Sequence, residues 1–214
     1  MATEKVFWQD PYLTELIATV TDVSGNIVTL DRTILYAFAG GQESDRGTIQ
    51  GFKVLKAEKD DLEIFYTLEE GHDLSTGEKV LIELDWNRRY RLMRLHFAAE
   101  IILELVYQRF GRPEKVGAHI AEDKARLDFF WEGSISRIFP LLEEKARELI
   151  GADLPITSDF SDGKTEQRFW EIPGFGKVSC GGTHIRQTGE IGPLELKRKN
   201  IGKGKERIEI YLKD

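Results

Sequence analysis

Residues 85–111 read DWNRRYRLMRLHFAAEIILELVYQRFG, and the rest of the chain divides around them. Asp is a residue type that caps helix N-termini, and Gly followed two residues later by Pro is typical of a helix end. Apolar side chains recur between these limits at steps of three and four, as on the buried face of an α-helix; they are Leu92, Leu95, Ala99, Leu103, Val106 and Phe110. The pattern predicts one long helix from Trp86 to about Phe110, capped by Asp85 and ended by Gly111.

The sequence before this helix has the pattern of short strands. Residues 16–23 and 27–30 are β-rich and are separated by Ser-Gly-Asn at 24–26, which is a hairpin signal. Further apolar or β-rich runs cover residues 34–38, 47–57 and 62–68, with a polar turn at 58–61. Six or so short strands with tight turns predict a small β-barrel domain over residues 1–85.

The sequence after the helix mixes strands with a second helix. Strands are expected at residues 116–121, 125–131, 154–160, 168–172, 194–199 and 207–212, and the last two flank a basic turn. The second helix covers about residues 134–150, where Pro140 either kinks it or lies in its true first turn. Residues 86–214 are therefore predicted to form an α+β domain with the long helix packed on antiparallel strands.

The composition is that of an ordinary soluble globular protein, with 41% hydrophobic and 31% charged residues. No apolar run approaches the roughly 18 residues of a membrane helix, and the start, MATEK, lacks the regions of a signal peptide. The single cysteine cannot form an internal disulfide, which fits a reducing compartment. We therefore expect a cytoplasmic protein with no membrane partner, and the oligomeric state stays open.

The net charge of −7 is spread unevenly along the chain. Residues 1–85 carry 7 Lys and Arg against 17 Asp and Glu, whereas residues 86–214 carry 23 against 20. A polyanion would be repelled by the first part and tolerated by the second. Two basic clusters are either phosphate-binding or ordinary solvated surface: Arg88, Arg89, Arg91 and Arg94 on the helix, and Lys197, Arg198, Lys199, Lys203, Lys205 and Arg207 near the last turn. The candidate substrate-binding residues among them are Arg94, Lys203 and Lys205.

Cys180 and His184 enclose the most unusual motif of the chain, CGGTH. This segment is too rich in glycine for a helix, so it predicts a loop that turns a thiol and an imidazole toward one point. On the long helix His96 and Glu100 lie four residues apart and can reach a single ion. These four side chains supply the ligand types of a zinc site with a position left for water or substrate. The alternatives are a small buried cysteine and a solvated His/Glu pair.

Two features leave alternatives open. Glu100 either ligates the ion or acts beside it as a base that moves protons. Residues 38–47, FAGGQESDRG, are a second glycine-rich segment. This segment is either a tight bend between strands or a place where backbone amides approach a ligand closely.

Several motifs, in the same order over about residues 7–212, resemble alanyl-tRNA editing domains. CGGTH followed by TGEIG at 188–192 looks like their metal-binding signature, and LMRLH at 92–96 resembles the helix that carries the family's first histidine. The segment 38–47 resembles the glycine-rich motif of the β-barrel that precedes the editing domain, and GKGKER at 202–207 also fits. The chain is therefore similar to the freestanding, medium-length alanyl-tRNA editing proteins of the AlaX type.

The resemblance implies hydrolysis of the ester that joins a wrong amino acid, chiefly serine, to tRNA(Ala). It implies zinc held by His96, Cys180 and His184, with Thr183 placed either to contact the aminoacyl group or to fix the turn. Gly40 and Gly41 would belong to the glycine-rich motif near the tRNA, so they join the candidate substrate-binding residues.

One position departs from the family pattern. The family has His-x-x-x-His on the helix, and this chain has Glu100 at the second position. Glu100 either ligates zinc, or moves protons beside a three-ligand ion, or marks the loss of metal binding. The alternative function is therefore a catalytically silent tRNA-binding relative, and a zinc-dependent hydrolase of small esters is a third hypothesis.

Overall fold

The computed structural model describes residues 2–162 and 166–213. The chain groups into two compact units. The first contains the residues up to Ala39 together with Glu43–Arg91, and the second contains Gly40–Gln42 and the residues from Leu92 onward. The division falls inside the long helix α1 (Trp86–Phe110), whose residues up to Arg91 count with the first unit.

The first unit is built mainly from strands. They are β1 (Glu4–Lys5), β2 (Glu15–Ser24), β3 (Ile27–Leu30), β4 (Arg32–Thr33), β5 (Gly47–Ile49), β6 (Phe52–Asp60), β7 (Glu63–Leu68) and β8 (Lys79–Leu84), with a 3-10 helix at Val6–Trp8. Six strands pair antiparallel in the order β2-β3-β7-β6-β5-β8, and β8 pairs with β2, so the order closes on itself. Alternate side chains such as Ile64, Tyr66 and Leu68 on β7 are fully buried, as the two-residue period of a strand predicts.

Two segments of this unit differ from the sequence-based expectation. Residues 47–57 form two strands instead of one, because Gln50 and Gly51 adopt φ values of +52° and +82° and make a tight hairpin turn. Residues 34–37 are buried but irregular. An apolar run was therefore a correct indication of burial there but not of a strand.

Side chains replace a strand partner along this irregular segment. The backbone N–H of Tyr36 donates to Asp45 (2.6 Å), and the carbonyl of Ile34 accepts from the Arg89 guanidinium (2.6 Å). Arg89 is fully buried and forms an ion pair with Asp45, while Arg88 donates to Glu43 at 2.7 Å. Both guanidinium groups thus bind inside the fold, which satisfies buried backbone groups that would otherwise lack partners.

Helix α1 begins at Trp86 and ends at Phe110, as predicted. The Asp85 carboxylate accepts a hydrogen bond from the backbone N–H of Arg88 (3.2 Å), which is an N-cap, and Gly111 follows the helix with φ +72°. Burial is wider than the predicted apolar stripe. Side chains outside that stripe are also fully buried, namely Met93, Phe97, Ala98, Ile101 and Ile102.

The second unit contains the remaining elements. They are β9 (Lys115–Ile120), β10 (Ala125–Phe130), α2 (Phe139–Gly151), β11 (Thr157–Asp162), β12 (Gln167–Ile172), β13 (Gly176–Ser179), β14 (Leu194–Gly202) and β15 (Lys205–Leu212), with 3-10 helices at Ile135–Ile138 and Thr188–Ile191. One antiparallel sheet has the order β14-β15-β10-β9 and another the order β11-β12-β13. The aromatic ring of Phe97 on α1 packs edge-on against Trp170 of β12, with centroids 5.3 Å apart.

The structure fixes the place of Pro140, which the sequence leaves open, and shortens the predicted basic turn. Pro140 is the second residue of α2, so it lies in the first turn and does not kink the helix. The basic turn between the last strands contracts to Lys203 and Gly204, with φ values of +54° and +71°. The predicted α+β class, with helices and antiparallel sheets, is confirmed.

Among the described residues, the helices are too short or too polar to cross a membrane.

Candidate metal centre

The CGGTH loop approaches helix α1 closely because residue 182 has no side chain. A Cβ atom on Gly182 would lie 2.3 Å from Cε1 of His96, well inside van der Waals contact. His96 itself is 5% exposed and projects from the buried part of the helix. The glycine therefore lets the loop bring its ligands to the histidine, which is a use of glycine that the sequence spacing could not show.

Three ligand atoms converge in the second unit, from His96, Cys180 and His184 (the His/Cys/His cluster). The Sγ atom of Cys180 lies 3.1 Å from Nε2 of His96 and 3.3 Å from Nε2 of His184. All three atoms lie within 4.8 Å of one another. A tetrahedral zinc with bonds of about 2.0–2.3 Å separates its ligand atoms by roughly 3.5 Å. The spacing and the nitrogen and sulfur donors therefore fit a zinc ion.

The protonation of the cluster suits metal binding. Burial lowers the pKa of His96, and burial together with the neighbouring His96 and Arg168 lowers the pKa of His184 well below its usual value. Both imidazoles are thus neutral and keep a nitrogen lone pair for a ligand bond. Burial, followed by the nearby Glu100 carboxylate, raises the pKa of the Cys180 thiol. A bound cation favours the thiolate, so metal binding at this thiol is coupled to loss of its proton.

The outer nitrogen atoms of the two histidines have different surroundings. Nδ1 of His184 lies 2.7 Å from Oγ of Ser158, so a hydrogen bond there leaves Nε2 directed at Cys180. Nδ1 of His96 is buried and makes no hydrogen bond to any residue that the structure describes. Ser158 was missed by the sequence analysis, since a lone serine 26 residues from its partner carries no pattern.

Glu100 lies beside the His/Cys/His cluster but is not one of the three residues whose ligand atoms converge. One carboxylate oxygen is 3.8 Å from both Nε2 of His96 and Sγ of Cys180. The other accepts a hydrogen bond of 2.8 Å from the indole N–H of Trp170, which is fully buried. The indole thus orients the carboxylate so that one oxygen faces the cluster.

Thr183 is held by a residue that the sequence analysis did not single out. The amide Nε2 of Gln42 donates to Oγ1 of Thr183 (2.9 Å), and the Thr183 N–H donates back to Oε1 of Gln42 (3.3 Å). Both side chains are buried. The signal for Gln42 was its place directly after Gly40 and Gly41 in the second glycine-rich segment.

The two glycines before Gln42 have different surroundings. A Cβ on Gly41 would lie 2.7 Å from the carbonyl oxygen of Ala118, whereas at Gly40 nothing lies within 4 Å. The Gly41 carbonyl accepts a hydrogen bond from Ile120 (2.7 Å), at the end of β9. Gly41 thus allows a close backbone approach that carries Gln42 to Thr183.

The basic candidate residues make their described contacts with groups outside the His/Cys/His cluster. The Arg94 guanidinium donates to the carbonyl of Ile191 (2.9 Å) and so ties α1 to the 3-10 helix at Thr188–Ile191. Lys203 is exposed in the last turn, and the ammonium of Lys205 lies 5.1 Å over the ring of Phe130. Arg168, not foreseen from the sequence, is buried and donates to the carbonyl of Gly182 (3.1 Å).

Known proteins are similar to this chain in sequence. Residues 168–209 match the family described as the second additional domain of threonyl and alanyl tRNA synthetases. The alanyl-tRNA editing protein AlaX-M of Pyrococcus horikoshii is 32% identical over 98% of both chains, and that of Saccharolobus solfataricus is 32% identical over 99% of both. The alanine–tRNA ligase of Methanococcus aeolicus is 30% identical over 97% of this chain and 25% of its own length.

The similarity extends over nearly the whole length of the freestanding relatives, whereas it covers a quarter of the ligase. It includes the β-rich first unit as well as the unit that carries the His/Cys/His cluster. From full-length similarity, matching domain and converging ligand atoms, we conclude that this chain belongs to the family of AlaX-M alanyl-tRNA editing proteins.

Proposed function

We propose that this chain is a trans-editing hydrolase that deacylates mischarged tRNA(Ala), chiefly the seryl ester. The observation that carries the proposal is the convergence of three ligand atoms, from residues 84 positions apart, in a chain of the AlaX-M family. We assign the chemistry to residues 86–214 together with Gly40–Gln42, and we place the enzyme in the cytoplasm.

His96, Cys180 and His184 would hold a zinc ion. A zinc ion with three protein ligands polarises a carbonyl and lowers the pKa of bound water. The chain itself supplies two buried neutral imidazoles and a thiol that ionises on binding, and Ser158 holds the outer nitrogen of His184 by a hydrogen bond.

Glu100 is assigned the proton transfers. Its oxygen facing the cluster takes a proton from water while the water oxygen bonds to the ester carbonyl carbon. The C–O bond to the ribose oxygen then breaks, and that oxygen receives the proton and leaves as a hydroxyl. Trp170 holds the other oxygen and fixes the direction of the first. Direct ligation of zinc is the competing role, and Glu100→Gln separates the two. Loss of turnover with full zinc content supports the base, and loss of zinc supports the ligand.

Thr183 is assigned the recognition of the serine side chain. Its oxygen accepts from Gln42, so the hydroxyl proton is left to donate elsewhere. A site that hydrogen-bonds a substrate hydroxyl discriminates strongly against the analogue that lacks it. The correct alanyl ester has no such hydroxyl and would be spared. Lys203 and Lys205 would contact tRNA phosphates, and Gly40 and Gly41 would lie near the tRNA end.

The test is deacylation of Ser-tRNA(Ala), with zinc content measured on the same samples. We expect turnover and one zinc per chain for the wild type, loss of both for Cys180→Ala, and no change for Ser134→Ala, a matched control remote in sequence. Full activity of Cys180→Ala would refute the metal-centred proposal. If the protein retards tRNA in a gel but releases no serine, the catalytically silent tRNA-binding relative is favoured. The reason for considering that alternative is Glu100, which replaces the family's second helix histidine.

A further inference from the structure

A groove of about 250 Å³ in the second unit runs between the second half of α1 and strand β13. Glu100, Leu103, Glu104 and Tyr107 line its helical wall at steps of three and four, so they share one face of α1. Lys177, Val178 and Ser179 line the opposite wall, and Ser179 directly precedes Cys180. Because Glu100 and Ser179 adjoin the His/Cys/His cluster, one end of the groove lies at the candidate metal centre.

The two walls are within contact distance at Gly176 of β13, where a side chain would also have room. A Cβ at Gly176 would lie 3.4 Å from Cγ of Glu104. The Glu104 carboxylate accepts a hydrogen bond from Gln108 (2.9 Å), one turn further along α1. Glu104 is therefore an oriented carboxylate one helical turn beyond Glu100, on the same wall of the groove.

The charges along the groove change sign. The two carboxylates lie toward the cluster on the helical wall, and the Lys177 ammonium on the opposite wall pairs with Glu171 (3.1 Å). Arg112 lies beyond the end of α1 with its guanidinium 5.4 Å over the ring of Tyr107. Glu100 and Tyr107 are seven residues apart, or about 10 Å of helix. The guanidinium thus lies roughly that distance from the cluster end. With Lys177 paired to Glu171, the groove offers carboxylates beside the candidate metal centre and a guanidinium at its far end.

The aminoacyl end of a tRNA carries complementary charges in the same order. An α-ammonium group lies next to the ester carbonyl, and a phosphate lies beyond the ribose of the terminal nucleotide. Carboxylates bind ammonium groups, and arginine is a preferred partner of phosphate. We infer that this groove binds the aminoacylated 3′-terminal nucleotide, with Glu104 receiving the α-ammonium group and Arg112 the 5′-phosphate.

This inference rests on the proposed function, because it takes the ester to be the substrate of the His/Cys/His cluster. The probe is a non-hydrolysable analogue, 3′-amino-3′-deoxyadenosine 5′-phosphate acylated by serine through an amide, together with the same compound lacking its phosphate. Binding is measured by calorimetry on the zinc-loaded protein. We expect the phosphate to strengthen binding about tenfold in the wild type, as one charge-assisted contact would.

Arg112→Ala should abolish this phosphate effect, whereas Arg109→Ala, an exposed arginine at the last turn of α1 outside the groove, should keep it. Glu104→Gln should weaken the serylated analogue about tenfold and leave an analogue without the α-amine unchanged. The inference is overturned if Arg112→Ala keeps the phosphate effect, if Glu104→Gln weakens both analogues equally, or if the wild type binds neither.

These outcomes separate the groove from the proposed function. Phosphate-dependent binding without any release of serine from Ser-tRNA(Ala) would reject the hydrolase and keep the groove. Normal serine release by the wild type, with binding unchanged in both variants, would reject the groove and keep the hydrolase.

Discussion

Gly182 is the residue on which the geometry of the His/Cys/His cluster depends most directly. A methyl group there would overlap the His96 ring, at 2.3 Å from Cε1 and 2.6 Å from Nε2. The loop would have to move away from α1, and with it Cys180 and His184. We therefore expect Gly182→Ala to weaken zinc binding at least about tenfold, the scale of a disturbed ligand shell, as measured by competition with a chelating dye.

The neighbouring glycine provides the matched control. At Gly181 a Cβ atom would meet nothing within 4 Å, so Gly181→Ala changes the same motif without the clash. We expect it to bind zinc as the wild type does. Equal loss in both variants would mean that loop flexibility, and not the approach to His96, sets the affinity.

Gln42 acts at the same scale through Thr183. Gln42→Leu removes both side-chain hydrogen bonds to Thr183 and leaves the backbone contact with Ile120 in place. Without its fixed acceptor role the Thr183 hydroxyl can turn, so we expect kcat/KM for the seryl ester to fall about ten- to a hundredfold. Hydrolysis of the alanyl ester and zinc content should stay unchanged.

The comparison of two charged tRNAs makes this a test of positioning. Thr183→Val should reproduce the loss of activity on Ser-tRNA(Ala). The control is Gln9→Leu, at an exposed glutamine of the first unit, which should leave the hydrolysis of both charged tRNAs unchanged. A parallel loss of zinc in Gln42→Leu would instead assign Gln42 a purely structural role in the loop.

Single residues differ in how well the sequence predicts their place. His96, Cys180 and His184 were candidates because their side chains are metal ligands, and the structure brings their ligand atoms together. Gln42 lies 141 residues from Thr183. A neutral amide has no distinctive chemistry, and no local period links such distant positions, so its partner emerges only from the folded chain.

Elements differ in the same way. Helix α1 was predicted to its end residues because its cap, its apolar period and its final glycine are all local signals. Strand β13, Gly176–Ser179, was missed because four residues carry no alternation, and its conformation comes from pairing with β12, where Val178 faces Trp170.

The hairpin of β14 and β15 carries a buried carboxylate whose ionisation stabilises it. Glu206 on β15 is 1% exposed and accepts hydrogen bonds from the Arg198 guanidinium (2.7 Å) and the Asn200 amide (2.6 Å) on β14. The Arg198 contact is the main cause that lowers the pKa of Glu206 from 4.5 to about 2. A lowered pKa means that the stabilisation is present above pH 4.5 and is lost as the pH falls toward 2.

Glu206→Gln should therefore cost about 2 kcal/mol of unfolding free energy at pH 7, the scale of hydrogen bonds to a charged group. The difference from the wild type should shrink as the pH falls below 4.5. Urea unfolding between neutral and acid pH measures it. The control is Glu195→Gln, because Glu195 forms a solvent-exposed ion pair with Lys197. It should change the unfolding free energy little at any pH. A difference that does not change with pH would assign the loss to packing instead of charge.

At the scale of the whole molecule, a bound ion would join segments far apart in the chain. His96 and Cys180 are separated by 84 residues, and every element from β9 to β13 lies between them. The unfolded chain has no preformed site, so an ion that binds the folded form stabilises it by mass action. Zinc at a hundred times its dissociation constant would add about 2.7 kcal/mol.

For a chain of this length we expect that increment to raise the unfolding midpoint by roughly 5–10 °C over the chelator-treated protein. Differential scanning fluorimetry with and without zinc measures the shift. Cys180→Ala removes the central ligand atom, so its midpoint should respond little to zinc, whereas Gly181→Ala should respond like the wild type. An equal rise in Cys180→Ala would mean that zinc acts elsewhere on the surface, because a cluster lacking its sulfur cannot hold the two histidine-bearing segments together.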